Sequence, residues 1–153
     1  MNRSLGLLLA LVTTAGVGQA LADDSPRQIA ESSAAQWNAA FAKGKVEAIV
    51  SLYADNAMLL RPDGAVSRGA GEIRAFWQNV IQQGDYAMDI VDVSNDRDDT
   101  IVATAELSGV KTQGSQSQAT KYRYEGVLYS VLKRQPDGSW KAKVQKWNDD
   151  HKI

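Results

Sequence analysis

The sequence comprises 153 residues, with no cysteine and a single histidine, and its formal net charge is −1 at pH 7. This near-neutral balance gives no indication of binding to nucleic acid or to an anionic membrane surface. Because the sequence has no cysteine, disulfides, thiol nucleophiles and zinc–thiolate sites are excluded, and core packing alone must hold the fold together.

The first 22 residues differ in composition from the rest of the chain. MNRS supplies one positive charge, LGLLLALVTTAGVG is an apolar run, and ALA, ending at Ala22, is the small-x-small pattern of a signal-peptidase site. A membrane anchor needs about 20 continuous apolar residues, whereas polar residues and glycines interrupt this run. We therefore predict a cleaved signal peptide over residues 1–22 and a single domain over residues 23–153. The protein is then periplasmic or secreted, with no membrane span after cleavage.

Three helices are predicted in the first half of the domain. Ser25, Pro26 and Gln28 form a capping box at the start of the first helix, which carries one apolar stripe and ends near Gly44. Apolar residues recur at helical spacing in two further segments, VEAIVSLYADNA and GAGEIRAFWQNVIQQG. Tyr53 lies on the apolar side of the second predicted helix.

Alternation of apolar and polar residues, the period of a strand, dominates the second half of the domain. The segments predicted as strands are AMLLR, YAMDIVDV, TIVATAELSGV, YRYEGVLYSVLKR and SWKAKVQKWND. Because short connections join the last four, an antiparallel meander is favoured over crossover units, with a hairpin loop at 112–119. Helices laid across one concave face of such a sheet give a cone-shaped α+β fold whose open end is a pocket.

The order of these elements resembles the nuclear transport factor 2-like superfamily, in its SnoaL-like branch. The segments that carry the resemblance are LYADNAMLL, RGAGEIRAFW and the terminal GSWK…KWN, and the likeness runs from about Ile29 to Asn148. It implies three helices packed on a curved antiparallel sheet, a pocket between them, and often a homodimer formed through the sheet. Members include ketosteroid isomerase-like isomerases, polyketide cyclases, dehydratases and proteins that only bind or assemble, so the resemblance leaves function open.

The residues that catalyse in ketosteroid isomerase-like members are replaced in this sequence. In those members a carboxylate takes a proton from carbon while a tyrosine and a protonated aspartic acid stabilise the oxyanion. The matching positions carry Arg61, Trp37 and, approximately, Leu128, which cannot supply these groups. Asp63 and Glu125 remain as acid/base candidates for a cyclase- or isomerase-like reaction. The lone histidine follows the last predicted strand, and we predict neither a metal site nor a cofactor.

The resemblance also implies which residues line the cone. The predicted ligand-binding residues are Trp37, Phe41, Tyr53, Arg61, Trp77, Tyr124, Leu128, Val144 and Trp147. Trp147 reaches inward only if a β-bulge shifts the register of the last strand. Aromatic rings with one cation suit an apolar or aromatic anion, because arginine binds carboxylates bidentately. In the alternative interpretation the tryptophans are core residues, and Arg61 pairs with Asp63, Asp55 or Glu72.

The opposite face of the sheet is predicted to be charged and partly apolar. Its alternating positions include Glu106, Arg123, Glu125, Lys141 and Lys143, together with the apolar Val127, Tyr129, Val131 and, without a bulge, Trp147. Three hypotheses follow from the sequence. The domain binds a small molecule in the cone, catalyses a reaction there with unusual residues, or is a homodimeric interaction module whose pocket is closed.

Overall fold

The structure is a computed structural model that describes residues 24–114 and 117–149. The predicted signal peptide and His151 lie outside these residues. The helices are α1 (Pro26–Ala42), α2 (Val46–Val50) and α3 (Gly69–Gln83), and the strands are β1 (Tyr53–Leu60), β2 (Val66–Arg68), β3 (Gly84–Arg97), β4 (Thr100–Gln113), β5 (Thr120–Arg134) and β6 (Trp140–Asp149). Within the described ranges, no helix is long and apolar enough to cross a membrane.

The capping box predicted at the start of α1 is confirmed. The Ser25 hydroxyl accepts a hydrogen bond from the Gln28 backbone N–H at 3.3 Å, and the Gln28 side chain accepts one from the Ser25 N–H at 2.8 Å. Pro26 occupies the first helical turn, where its missing N–H has no intrahelical partner to lose. After the helix, Gly44 takes a left-handed φ of +62°, which favours glycine.

The second helix is shorter than the sequence predicts, and the placement of Tyr53 on it is wrong. α2 ends at Val50, and Tyr53 opens β1 opposite Ala142 of β6. The Ala142 N–H donates a hydrogen bond to the Leu52 carbonyl at 2.8 Å, so the chain at Leu52 and Tyr53 is bonded to β6 and does not continue the helix. Tertiary pairing thus overrides the helical spacing of the apolar residues.

The strands form one curved six-stranded sheet in the order β2-β1-β6-β5-β4-β3. The predicted antiparallel meander is confirmed for β3 to β6. β1 instead runs parallel to β6, and the short β2, absent from the sequence prediction, pairs with β1. The sheet is therefore mixed and not purely antiparallel. The connection from β1 to β6 contains α3 and four strands, which is long enough for parallel pairing.

Helices α1 and α3 cover the inner face of the sheet and enclose the core, as the α+β prediction requires. A bulge in β6 decides which of its side chains enter that core. Leu132 pairs with Ala142 and Val131 with Val144, so Lys143 is the extra residue. The inward position of Val144 predicted from alternation is therefore wrong, because Val144 shares the outer face with Val131. The conditional prediction for Trp147 is confirmed, since the same bulge turns it inward.

Candidate functional site

The deep end of the cone is filled by the protein's own side chains. Trp77 and Leu128 are fully buried, and Trp37 and Phe41 stack with ring centroids 4.8 Å apart. The cavity left between α1 and the sheet measures about 20 Å³, which accommodates one water molecule. These four predicted site residues therefore lie in the hydrophobic core, with Trp37 alone among them also lining that cavity.

A buried series of hydrogen bonds, the inner relay, crosses this core. Trp77 Nε1 donates to Tyr53 Oη at 2.9 Å, Tyr53 Oη donates to Gln145 Oε1, and Gln145 Nε2 donates to Ser130 Oγ at 2.9 Å. Burial raises the pKa of Tyr53 well above its ordinary value, so its hydroxyl stays protonated and continues to donate. The indole N–H of Trp37 has no hydrogen-bond partner among the described residues.

A groove of about 270 Å³ opens at the end of the sheet where β3 and β5 begin and β4 and β6 end. We call it the mouth groove. Four of its lining side chains are aromatic: Phe76 of α3, Tyr86 of β3, Tyr124 of β5 and Trp147 of β6. The remaining lining residues are Pro62, Asp63, Asn79, Val80, Gln83, Lys111 and Asp149. The groove therefore combines an apolar wall with a charged rim.

A second series of hydrogen bonds, the mouth relay, runs along the wall of this groove. Trp147 Nε1 donates to Tyr124 Oη at 2.5 Å, and Tyr124 Oη donates to Asp149 Oδ1. Burial and the Asp149 carboxylate raise the pKa of Tyr124 far above its ordinary value. A β-carbon at Gly126 would lie 2.6 Å from Tyr124 Oη and 3.0 Å from Trp147 Nε1. Glycine at this position therefore leaves room for the relay.

Arg61, the cation predicted to anchor a ligand, is paired within its own turn. Its Nε lies 3.2 Å from Asp63 Oδ1 and its Nη2 3.0 Å from Asp63 Oδ2. The Ala65 backbone N–H also donates to Asp63 at 3.0 Å, and this bond and Arg61 hold the pKa of Asp63 below its ordinary value. The sequence left two accounts of Arg61 open, and the structure shows the ion pair.

Comparison with known proteins places this geometry in a family. The SnoaL-like domain model matches residues 34–141, more than half of the chain. The chain belongs to the SnoaL-like family.

Solved structures with this fold agree with the family assignment. This SnoaL-like chain is similar to a ketosteroid isomerase-like protein from Erwinia carotovora atroseptica, with 20% identity, a TM-score of 0.68, and coverage of 80% of this chain and 95% of that one. The chain is also similar to an NTF2-like protein with a cystatin-like fold from Novosphingobium aromaticivorans, with 15% identity, a TM-score of 0.63, and coverage of 84% of each chain. A third similar structure is an NTF2-like protein of unknown function from Shewanella oneidensis, with 14% identity, a TM-score of 0.63, and coverage of 82% of this chain and 100% of that one. At these identities the likeness shows the fold, and no curated protein is significantly similar in sequence.

The two predicted acid/base candidates of this SnoaL-like domain lie on different sides of the sheet. Asp63 lines the mouth groove, but its carboxylate is occupied by Arg61 and the Ala65 N–H. Glu125 is exposed on the outer face, 3.4 Å from Arg123, and therefore cannot face a ligand inside the cone. The structure brings neither of them into contact with the Tyr124 hydroxyl.

Eight residues of the mouth groove are missing from the sequence prediction, among them Phe76, Tyr86, Lys111 and Asp149. Lys111 Nζ lies 5.9 Å from the centre of the Tyr124 ring. Asp149 follows Trp147 at a spacing of two, so a known bulge in β6 would have placed both on the inner face. The spacing of Asp149 from Trp147 is therefore visible in the sequence, whereas the bulge that places both on the inner face is not.

Proposed function

We propose that this SnoaL-like domain binds a small aromatic molecule in the mouth groove. The observation that carries the proposal is the aromatic wall of an open groove. Phe76 and Tyr86 meet the Trp147 ring edge-on, with centroids 5.7 and 5.9 Å away. Such rings supply large apolar area and favour edge-to-face contact with another ring. The fold shared with a protein described as ketosteroid isomerase-like supports a site for ring-shaped ligands.

The charges at the groove favour a neutral aromatic molecule over the aromatic anion expected from the sequence. Arg61 is engaged with Asp63, which leaves Lys111 and the Asp149 carboxylate facing the groove. One cation and one anion give no net attraction for a carboxylate. The position of Lys111 beside the Tyr124 ring makes an aromatic anion the second candidate, and Lys111→Met would weaken the binding of such an anion alone.

Calorimetric titration of the purified protein with 2-naphthol, 2-methoxynaphthalene and 2-naphthoate tests the proposal. Phe76→Ala removes part of the wall and is expected to weaken binding at least tenfold. Asn79→Phe, a change at an exposed residue of α3 that lines the groove, fills the site and should abolish binding without a cavity in the core. Val91→Ala, at an exposed residue outside the groove, is the control and should bind like the wild type. Absence of saturable binding to all three probes would overturn the proposal.

We also propose that the domain is a homodimer formed through the outer face of the sheet. A row of apolar side chains crosses this face through paired positions: Val102, Val131, Val144 and Met58. Acidic residues lie on the β3–β4 side of the row, at Asp89, Asp92 and Glu106, and basic ones on the β5–β6 side, at Lys133, Lys141 and Lys146. A two-fold axis parallel to the strands would set the acidic side of one copy against the basic side of the other.

Sedimentation equilibrium tests the dimer. Val131→Glu puts a charge into the apolar row and is expected to give a monomer, whereas Asp85→Asn, on an exposed residue of β3 away from the row, should not. A wild-type monomer at the highest soluble concentration would overturn the dimer.

We propose export to the periplasm or the medium on the strength of residues 1–22 alone. Fractionation of cells that express the chain with and without these residues tests this. Recovery of both forms in the cytoplasm would count against it.

A further inference from the structure

We propose that Asp149 is the recognition group of the mouth groove and selects aromatic molecules that carry a hydroxyl or N–H donor, such as phenols. This inference rests on the proposed function, because it specifies the ligand of the same groove. It is carried by the way the mouth relay ends. Trp147 and Tyr124 direct successive hydrogen bonds toward Asp149 Oδ1, and the carboxylate lies exposed at the groove.

The relay fixes the orientation of the Asp149 carboxylate. Tyr124 Oη accepts from Trp147 Nε1 and therefore points its own hydrogen to Asp149. Burial and the adjacent carboxylate keep this hydroxyl protonated at neutral pH. A carboxylate has about four lone-pair sites, and Tyr124 occupies one of them. Within the described residues Asp149 Oδ2 makes no hydrogen bond, so it is available to a donor on a ligand.

The other polar groups of the groove strengthen this assignment. Both oxygens of Asp63, the second carboxylate at the rim, already accept hydrogen bonds, from Arg61 and the Ala65 N–H. Tyr86 lines the groove, and its hydroxyl makes no hydrogen bond among the residues that the structure describes. Besides the Lys111 ammonium and the amides of Asn79 and Gln83, which hydrogen-bond to each other at 3.1 Å, the groove offers one free carboxylate oxygen at Asp149 and one hydroxyl donor at Tyr86. A ligand hydroxyl, which both donates and accepts, matches this pair, whereas an ether matches only the donor.

The pair 2-naphthol and 2-methoxynaphthalene tests the inference, because the two probes share their rings and differ in the donor. A hydrogen bond to a charged acceptor gives a preference of about tenfold or more for 2-naphthol in the wild type. Asp149→Ala should reduce this preference to less than about threefold while the affinity for the methyl ether stays unchanged. Tyr124→Phe frees the Asp149 carboxylate to rotate and should reduce the preference for 2-naphthol by a smaller factor than Asp149→Ala does. Asp55→Asn, at an exposed carboxylate of β1 outside the groove, is the control and should retain the full preference.

The outcomes separate this inference from the proposed function. Equal binding of the two probes to the wild type would overturn the role of Asp149 and leave aromatic binding in the groove established. A preference for 2-naphthol that survives Asp149→Ala would also overturn it and would assign the hydroxyl to another group. Failure of both probes to bind would overturn the proposed function together with this inference.

Discussion

The inner relay and the mouth relay are built alike and differ in what ends them. Each begins with a tryptophan N–H that donates to a tyrosine hydroxyl, and the Trp77 and Trp147 rings stack with centroids 5.8 Å apart. The inner relay ends on the Gln145 amide, which donates in turn to Ser130 and is buried. The mouth relay ends on the Asp149 carboxylate, which is exposed. The inner relay therefore ends within the core, whereas the mouth relay presents an acceptor at the groove.

The different endings follow from the cost of burying charge. A carboxylate in the position of Gln145 would lose its hydration without a cation nearby, whereas a neutral amide needs only its hydrogen bonds. At the mouth, solvent reaches Asp149 and the charge is tolerated. The same tryptophan-to-tyrosine unit can thus brace a core in one place and orient a binding group in another.

The largest expected effect comes from removing the tryptophan at the start of the inner relay. Trp77→Ala deletes a fully buried ring, and we expect the free energy of unfolding to fall by about 3 to 5 kcal/mol. Urea unfolding followed by circular dichroism measures the change. Trp140→Ala, at a half-buried tryptophan at the edge of the core, is the control and should cost less than half as much. Equal losses would contradict a structural role particular to the inner relay.

A matched pair of hydroxyl deletions compares the two relays directly. Tyr53→Phe leaves the Trp77 N–H and the Gln145 carbonyl buried without partners, which we expect to cost about 2 kcal/mol. Tyr124→Phe should cost about 1 kcal/mol, because it leaves only the Trp147 N–H buried without a partner, while water can replace the lost bond to the exposed Asp149. The same unfolding experiment compares them. A larger loss for Tyr124→Phe would reverse the assignment of structural and functional roles.

Much of the fold could be predicted from the sequence because local signals and the global arrangement agree. The capping residues of α1 and the alternation along β4 and β5 each specify one structure, and they place Tyr124 and Leu128 correctly on the inner face. Tyr53 was misplaced because a short apolar segment can satisfy either period until a partner strand is known. The choice was made by β6, which lies about 90 residues away in sequence.

The candidate site was less predictable because it depends on a register shift and on one turn. Alternation along β6 cannot reveal the extra residue at Lys143, so it places Val144 on the inner face and leaves Asp149 out of the predicted site. Arg61 had several carboxylates within reach in sequence, and the turn geometry selected Asp63. Both decisions rest on backbone geometry that residue types alone do not encode.

Alkaline pH gives a smaller test, directed at the mouth. Burial, with smaller contributions from Tyr122 and Asp149, raises the pKa of Tyr86 to about 12, against about 10 in the unfolded chain. Between these values the unfolded chain releases the Tyr86 proton first. The contribution of Tyr86 to the free energy of unfolding is therefore fully present below pH 10 and is lost as the pH rises to about 12. Tyr86→Phe should reduce this decline in unfolding experiments at pH 10 to 12. Tyr129→Phe, on the exposed outer face, is the control, and an equal reduction there would contradict the prediction.

The smallest effect concerns the other carboxylate of the mouth groove. The Ala65 N–H and Arg61 lower the folded-state pKa of Asp63, so its contribution to stability is present above the unfolded value of about 3.9 and is lost as the pH falls through the folded value. Asp63→Asn should weaken the acid dependence of unfolding slightly, compared with Asp89→Asn at an exposed residue of β3. It should leave the preference for 2-naphthol intact, because its hydrogen bonds are already taken. Loss of that preference would mean that the two carboxylates share the ligand, and the distinction between a carboxylate with both oxygens bonded and one with a free oxygen would fail.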